Sequence, residues 1–122
     1  KLSDYIKNNY QDSKTDLFSV FIEKCSSMTE NGYFQSMITQ HSWMFLSSFE
    51  KMRSKLMLHN FVSMAHLGAR AFEEIGGEVV QTTSFVIRKY SIHDYRGSYS
   101  RLVEQGSQDA KEVAFLDKVN LL

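Results

Sequence analysis

The chain has 122 residues, one domain's worth of polypeptide, and its 43% hydrophobic and 23% charged residues are the balance of a globular protein rather than of a disordered or fibrous one. Fourteen basic residues meet fourteen acidic ones, and the zero net charge argues against a stand-alone nucleic-acid binder, which needs a basic excess to neutralise phosphates. No apolar run approaches the roughly 18 residues of a membrane span, no signal-peptide pattern opens the chain, and Cys25 is the single cysteine; the sequence reads as intracellular, with a cytoplasmic location expected.

Leu2, Tyr5, Ile6 and Tyr10 recur at spacings of three to four, which predicts a short amphipathic helix within residues 1–12, followed by a loop through Asn8, Asn9 and Asp12. Ser13 is expected to cap a stronger helix, with Asp16 in its first turn. Its predicted buried face is Leu17, Phe18, Phe21, Ile22, Cys25 and Met28. Asn31-Gly32 supplies a left-handed stop. Residues 33–39 then read as a short strand. Ser47 and Glu50 have capping-box spacing ahead of an apolar stripe of Phe49, Met52, Leu56 and Met57.

Residues 60–67 alternate and are rich in β-preference, so they read as a second strand. Gly76-Gly77 acts as a breaker before the longest β-like run, residues 80–90. The polar segment 91–98 reads as a loop, and residues 98–104 as an additional short strand. Gly106 and Ser107 open a last helix expected to turn Ala110, Val113, Ala114 and Phe115 inward. This order predicts an α/β fold, with the first two strands parallel through a right-handed crossover.

Residue chemistry alone points to no catalyst. His41, His59, His66 and His93 form no close i, i+4 pair, and with one cysteine there is no zinc-ligand spacing, so no metal is expected. There is no Gly-x-Ser-x-Gly elbow, and Cys25 reads as a small mid-helix hydrophobe. Gly76-Gly77 matches neither phosphate-loop pattern, and Glu73, Glu74 and Glu78 around it would repel phosphate. Phe72 is the exception. It follows the small residues Gly68-Ala69-Arg70-Ala71 in what should be the loop after a parallel strand, and ligand sites of open α/β sheets lie at the carboxyl ends of strands. On composition and spacing alone, Phe72 and Phe21 both read first as core residues, and binding is the alternative.

Four blocks in order resemble the carboxyl-terminal half of the adenine-N6 DNA methyltransferase catalytic domain. Asp16-Leu17-Phe18-Ser19-Val20-Phe21-Ile22-Glu23-Lys24 is similar to the helix that follows the catalytic Asn-Pro-Pro-Tyr loop. Asn31-Gly32-Tyr33 through Trp43 resembles the family's strand-and-turn block ending in a Ser/Thr-Trp pair. Phe49-Glu50-Lys51-Met52-Arg53 with Leu56 matches the next helix, and Gly68 to Phe72 with residues 83–89 matches the loop and last strand. The wording around Trp43-Met44-Phe45-Leu46 and Met64-Ala65-His66-Leu67 looks closest to the large phage-defence methylases of the phage-growth-limitation (BREX) type, related to fused restriction–modification enzymes.

The resemblance implies a partial Rossmann-like methyltransferase fold. Its three-stranded mixed sheet would have residues 83–90 antiparallel and inserted between residues 33–39 and 60–66. It covers residues 1–90, with 91–122 as a subgroup insertion or extension. It implies that Phe72 contacts the extruded target adenine and that Phe21 lines the pocket of the S-adenosylmethionine adenine. It also implies that DNA is the substrate of the intact parent.

The Asn-Pro-Pro-Tyr motif is absent, as the zero proline count requires, and so is the glycine-rich cofactor loop. No catalytic residue is therefore assigned. The chain, which begins at Lys1, is expected to be an inactive fragment that binds the cofactor poorly and self-associates through an exposed sheet edge. Gln40 stands where many relatives carry proline, so that turn is expected to differ. The rival readings are a small α/β protein-interaction module and a methyltransferase-like domain acting on RNA or protein.

Overall fold

The computed structural model describes residues 1–72, 74 and 80–119. The elements are α1 (Leu2–Asn9), α2 (Leu17–Met28), β1 (Phe34–Gln40), α3 (Glu50–Leu56), β2 (Asn60–Gly68), β3 (Thr82–Arg88), β4 (Ser98–Arg101) and α4 (Gln108–Val119). Two single-turn 3₁₀ segments, Ser42–Met44 and Ser47–Phe49, join β1 to α3. The Gly76-Gly77 breaker and the glutamates Glu73 and Glu78 lie outside the described residues.

The sheet order is β1-β3-β2-β4. β3 runs antiparallel to both β1 and β2, which makes those two parallel to each other, as the inserted-strand topology requires. β4 extends the sheet by pairing parallel to β2. The short strand expected over residues 98–104 therefore exists and makes the sheet four-stranded.

Period-two alternation sorts the strands into two faces. On one face the register aligns three rows across β1, β3 and β2: Gln35–Ile87–Phe61, Met37–Phe85–Met64 and Thr39–Thr83–His66. α2, α3 and the 3₁₀ turns cover this face and bury Ile22, Trp43, Phe49, Met52, Leu56 and Phe85. Trp43 packs edge-on to Phe85 and stacks beside Phe61. On the opposite face the row Ile38–Ser84–Ala65 faces α4 across a cleft of ≈ 330 Å³.

Several local expectations are corrected. Asp16, not Ser13, caps α2; its backbone is extended and its carboxylate lies 3.5 Å from the Phe18 N–H. Ser13 is buried instead, donating to Glu23 at 2.5 Å, while its carbonyl accepts from the Ser19 hydroxyl at 2.6 Å. Because Ser19 satisfies its hydroxyl on backbone carbonyls, a small polar residue occupies the buried face beside Val20 and Ile22. That turns Leu17, Phe21 and Met28 outward, while Cys25 is half-buried.

α3 forms no side-chain capping box, since Ser47 and Ser48 are taken up in the preceding 3₁₀ turn. Met57 is exposed past its end. On α4, Val113 is exposed and Phe115 lines the cleft facing the sheet, while Lys111 is buried, donating to the Leu102 and Gln105 carbonyls at 2.7 Å each. No helix among the described residues is long and apolar enough to cross a membrane.

Candidate functional site

The carboxyl ends of β1 and β2 emerge at the same edge of the domain, where β3 begins. The chemistry of the covered face changes there. Its first two rows are largely apolar, and the third, Thr39–Thr83–His66, is polar throughout. Thr39 accepts from the Trp43 indole N–H at 3.0 Å and Thr83 donates to the Ala65 carbonyl at 3.2 Å, so both hydroxyls have partners.

The turn leaving β1 is pinned. Arg53 donates to the Trp43 carbonyl at 2.8 Å and to that of Leu46 at 2.5 Å, which holds the 3₁₀ segments against α3.

The chain leaving β2 carries Phe72. Gly68 has φ +67, and a Cβ there would lie 2.9 Å from the Val103 side chain, so both conformation and space demand glycine. Arg70 is also in the left-handed region, at φ 58. Its guanidinium reaches the Gly106 carbonyl at 3.5 Å, which draws the start of this loop towards the segment before α4.

Phe72 is 41% exposed, and so does not fold back into the core as spacing alone suggests. Phe21 is 55% exposed on the outer side of α2, again not a core residue. Among the described residues no ring contact joins the two; they sit on separate elements.

One pair had no sequence signal. His41, just past β1, and His66, near the end of β2, approach to 2.8 Å between Nδ1 and Nε2. They are 25 residues apart, and only the insertion of β3 between β1 and β2 sets their rings side by side. The Phe45 ring lies perpendicular to His41, with ring centres 5.0 Å apart. Burial lowers the His41 pKa below the ordinary imidazole value. The His66 pKa is lowered first by burial and then by the charges of His41, Arg101 and Lys111. Both shifts favour the neutral ring. Among the described residues no three potential metal ligands gather.

Comparison with known proteins agrees with this architecture. The model of the Eco57I restriction-modification methylase family matches residues 1–72. The chain is 52% identical over 119 residues to the adenine-specific methyltransferase PglX of Lacticaseibacillus casei (strain Zhang), covering 97% of this chain and 10% of that protein. It is 40% identical over 120 residues to the adenine-specific methyltransferase BrxX of Escherichia coli O9:H4 (strain HS), covering 98% of this chain and again 10% of the relative. The chain thus spans about a tenth of the length of the curated relatives it matches. A Listeria monocytogenes protein assigned to the class I S-adenosylmethionine-dependent methyltransferases superposes with a TM-score of 0.55 at 11% identity, over 89% of this chain and 37% of that one. At that identity the likeness establishes the fold.

Proposed function

The chain belongs to the Eco57I restriction-modification methylase family, and on that premise we propose that it is one segment of an adenine-specific DNA methyltransferase acting in a cytoplasmic phage-defence or restriction–modification system. The observation that carries the reading is Phe72, an exposed aromatic at the carboxyl end of a strand in a chain 52% identical to an adenine-specific methyltransferase. The reaction is transfer of a methyl group to adenine N6 in DNA, with S-adenosylmethionine as the donor.

Chemistry on a base requires that the base leave the helix, at a cost of a few kcal/mol in lost stacking and pairing. An aromatic face presented outside the stack offsets part of that cost, because stacking a base on an aromatic side chain is worth about 1–3 kcal/mol. Phe72 is the residue of this chain suited to that role. Phe21 is suited to the second role, lining the pocket of the cofactor's adenine. Its outward placement exposes the ring, and it lies with Leu17 and Met28 on the exposed side of α2.

The groups that hold the target amino group and the cofactor's ribose belong to other parts of the parent. This chain has no Asn-Pro-Pro-Tyr motif, and the isolated segment is accordingly inactive. β1 is an edge of the described sheet. Unpaired strand edges recruit other strands, so the isolated segment is expected to self-associate there, while the parent supplies intramolecular partners. Residues 91–122 are the extension that adds β4 and α4.

Replacing Phe21 with Ala in the intact methylase tests the cofactor assignment. Weaker S-adenosylmethionine binding by calorimetry, with unchanged thermal stability, supports it; normal affinity removes Phe21 from the pocket. An Asn-Pro-Pro-Tyr motif upstream in the parent reading frame separates DNA methylation from an RNA- or protein-directed activity and from a plain interaction module.

A further inference from the structure

His41 holds both ends of the segment that carries Phe72. Its backbone N–H donates to the Gln81 carbonyl at 3.0 Å, at the point where the chain returns to enter β3. Its imidazole Nδ1 meets His66 Nε2 at 2.8 Å, two residues before the chain departs at Gly68. His66 is fixed in turn, because its carbonyl accepts from the Leu102 N–H at 2.9 Å. From these contacts we infer that His41 and His66 are positioning residues, a proton-sharing latch that sets the span between the ends of β2 and β3 and so aims Phe72. The inference rests on the reading of Phe72 given above.

A latch of two imidazoles has a defined response to protons. In the neutral pair one facing nitrogen donates its N–H to the lone pair of the other. A first added proton still leaves one donor and one acceptor. A second puts N–H groups on both facing nitrogens, and the bond is replaced by repulsion between two cations. The charged side chains acting on His66 are Arg101 from β4 and Lys111 from α4, both cationic, while His41 is shifted by burial alone. β3 faces it with Thr83 and the β1 turn with Phe45, neither of which titrates in this range. Burial and these cations work in the same direction, so the latch is closed at neutral pH and opens in acid.

The test uses the intact methylase and exploits amide mimicry. Asn places its amide nitrogen or oxygen near the imidazole Nδ1 position, and Gln places its own near Nε2. His41→Asn and His66→Gln therefore keep a hydrogen bond that cannot titrate. His41→Ala or His66→Ala should raise the KM for duplex DNA about fivefold, the equivalent of roughly 1 kcal/mol for one hydrogen bond, with the KM for S-adenosylmethionine unchanged. The double variant His41→Asn/His66→Gln should recover the DNA KM and lose the acid limb of its pH profile. Alanine variants with a wild-type DNA KM, or amide variants that retain the wild-type acid limb, overturn the latch.

Tryptic cleavage after Arg70 provides a readout independent of methylation. It should accelerate in either alanine variant and return to normal in the amide double variant; equal cleavage rates in all forms overturn the latch. If the unsubstituted protein transfers no methyl group, the proposed function fails, and the cleavage series still decides whether the two histidines hold the loop.

Discussion

Gly97 stands immediately before β4, and the structure makes a sharp demand of it. A Cβ at this position would lie 2.0 Å from the Phe61 carbonyl oxygen and 3.0 Å from that of Val62. Carbon and carbonyl oxygen meet at about 3.3 Å or more, so Gly97→Ala requires a retreat of more than about 1 Å. Neither obstacle is a flexible side chain; both are backbone of β2, at the register shift between Phe61 and Ser63. Relief must come from moving β4 away from β2.

That movement strains the four parallel pairs from Ser63–Ser98 to His66–Arg101 and unseats Leu102, which is buried directly after the strand. Loss of the Leu102 burial alone is worth about 2 kcal/mol, and one weakened backbone hydrogen bond adds about 1 kcal/mol. The sum, about 3 kcal/mol, matches the upper range of overpacking costs. Urea unfolding followed by the fluorescence of Trp43, the single and buried tryptophan, reads this directly. Gly106→Ala is the control: its Cβ would meet nothing closer than the Arg70 guanidinium at 4.0 Å, and its effect should stay within about 0.5 kcal/mol. A Gly97→Ala protein as stable as that control would refute the close approach of β4 to β2.

Two further outcomes follow from the same structure. The pKa values of His41, His59 and His66 are all lowered in the fold, first by burial in each case, so the unfolded chain takes up protons before the folded one. The stability this linkage governs is complete above about pH 6.5, the ordinary imidazole value, and is lost as pH falls through the lower folded values. Thermal melting between pH 7.5 and 5 should show the decline, and a flat profile would contradict the burial of these rings. The β1 edge predicts that the isolated chain sediments as a dimer or larger species, and that a lysine replacing Ser36 or Ile38 shifts it towards monomer; a monomeric unsubstituted chain would contradict the exposed-edge argument.

The strands were legible from short β-preferring runs set between turn signals, with alternation in residues 60–67. Residues 33–39, 60–67 and 80–90 differ from β1, β2 and β3 mainly at their ends. The antiparallel insertion of β3 was not legible from pattern, since strand order depends on long-range pairing; it came from the ordered blocks that resemble adenine methyltransferases. The helix faces were misread where polar side chains satisfy themselves on the backbone. Ser19 is buried by its bonds to the Ser13 and Asp16 carbonyls, and Lys111 by its bonds to Leu102 and Gln105. Hydrophobic spacing cannot register either. At the site, the position of Phe72 after a strand drew notice to it, but its binding role and that of Phe21 came only through the resemblance, because an exposed aromatic and a core one look alike in sequence. The His41–His66 pair was invisible for a related reason: its partners lie 25 residues apart, on strands separated by a third.

The most direct test of the account is methyl transfer from S-adenosylmethionine to adenine N6 by the intact methylase, comparing Phe72→Ala with the unsubstituted protein on duplex DNA and on the same DNA with the target adenine unpaired. Loss of a stacking contact worth about 1–3 kcal/mol predicts a roughly 5- to 150-fold lower kcat/KM on paired DNA, a smaller loss on the unpaired target, and an unchanged melting temperature. Equal activity of the two proteins on paired DNA would contradict the placement of Phe72 against the extruded base.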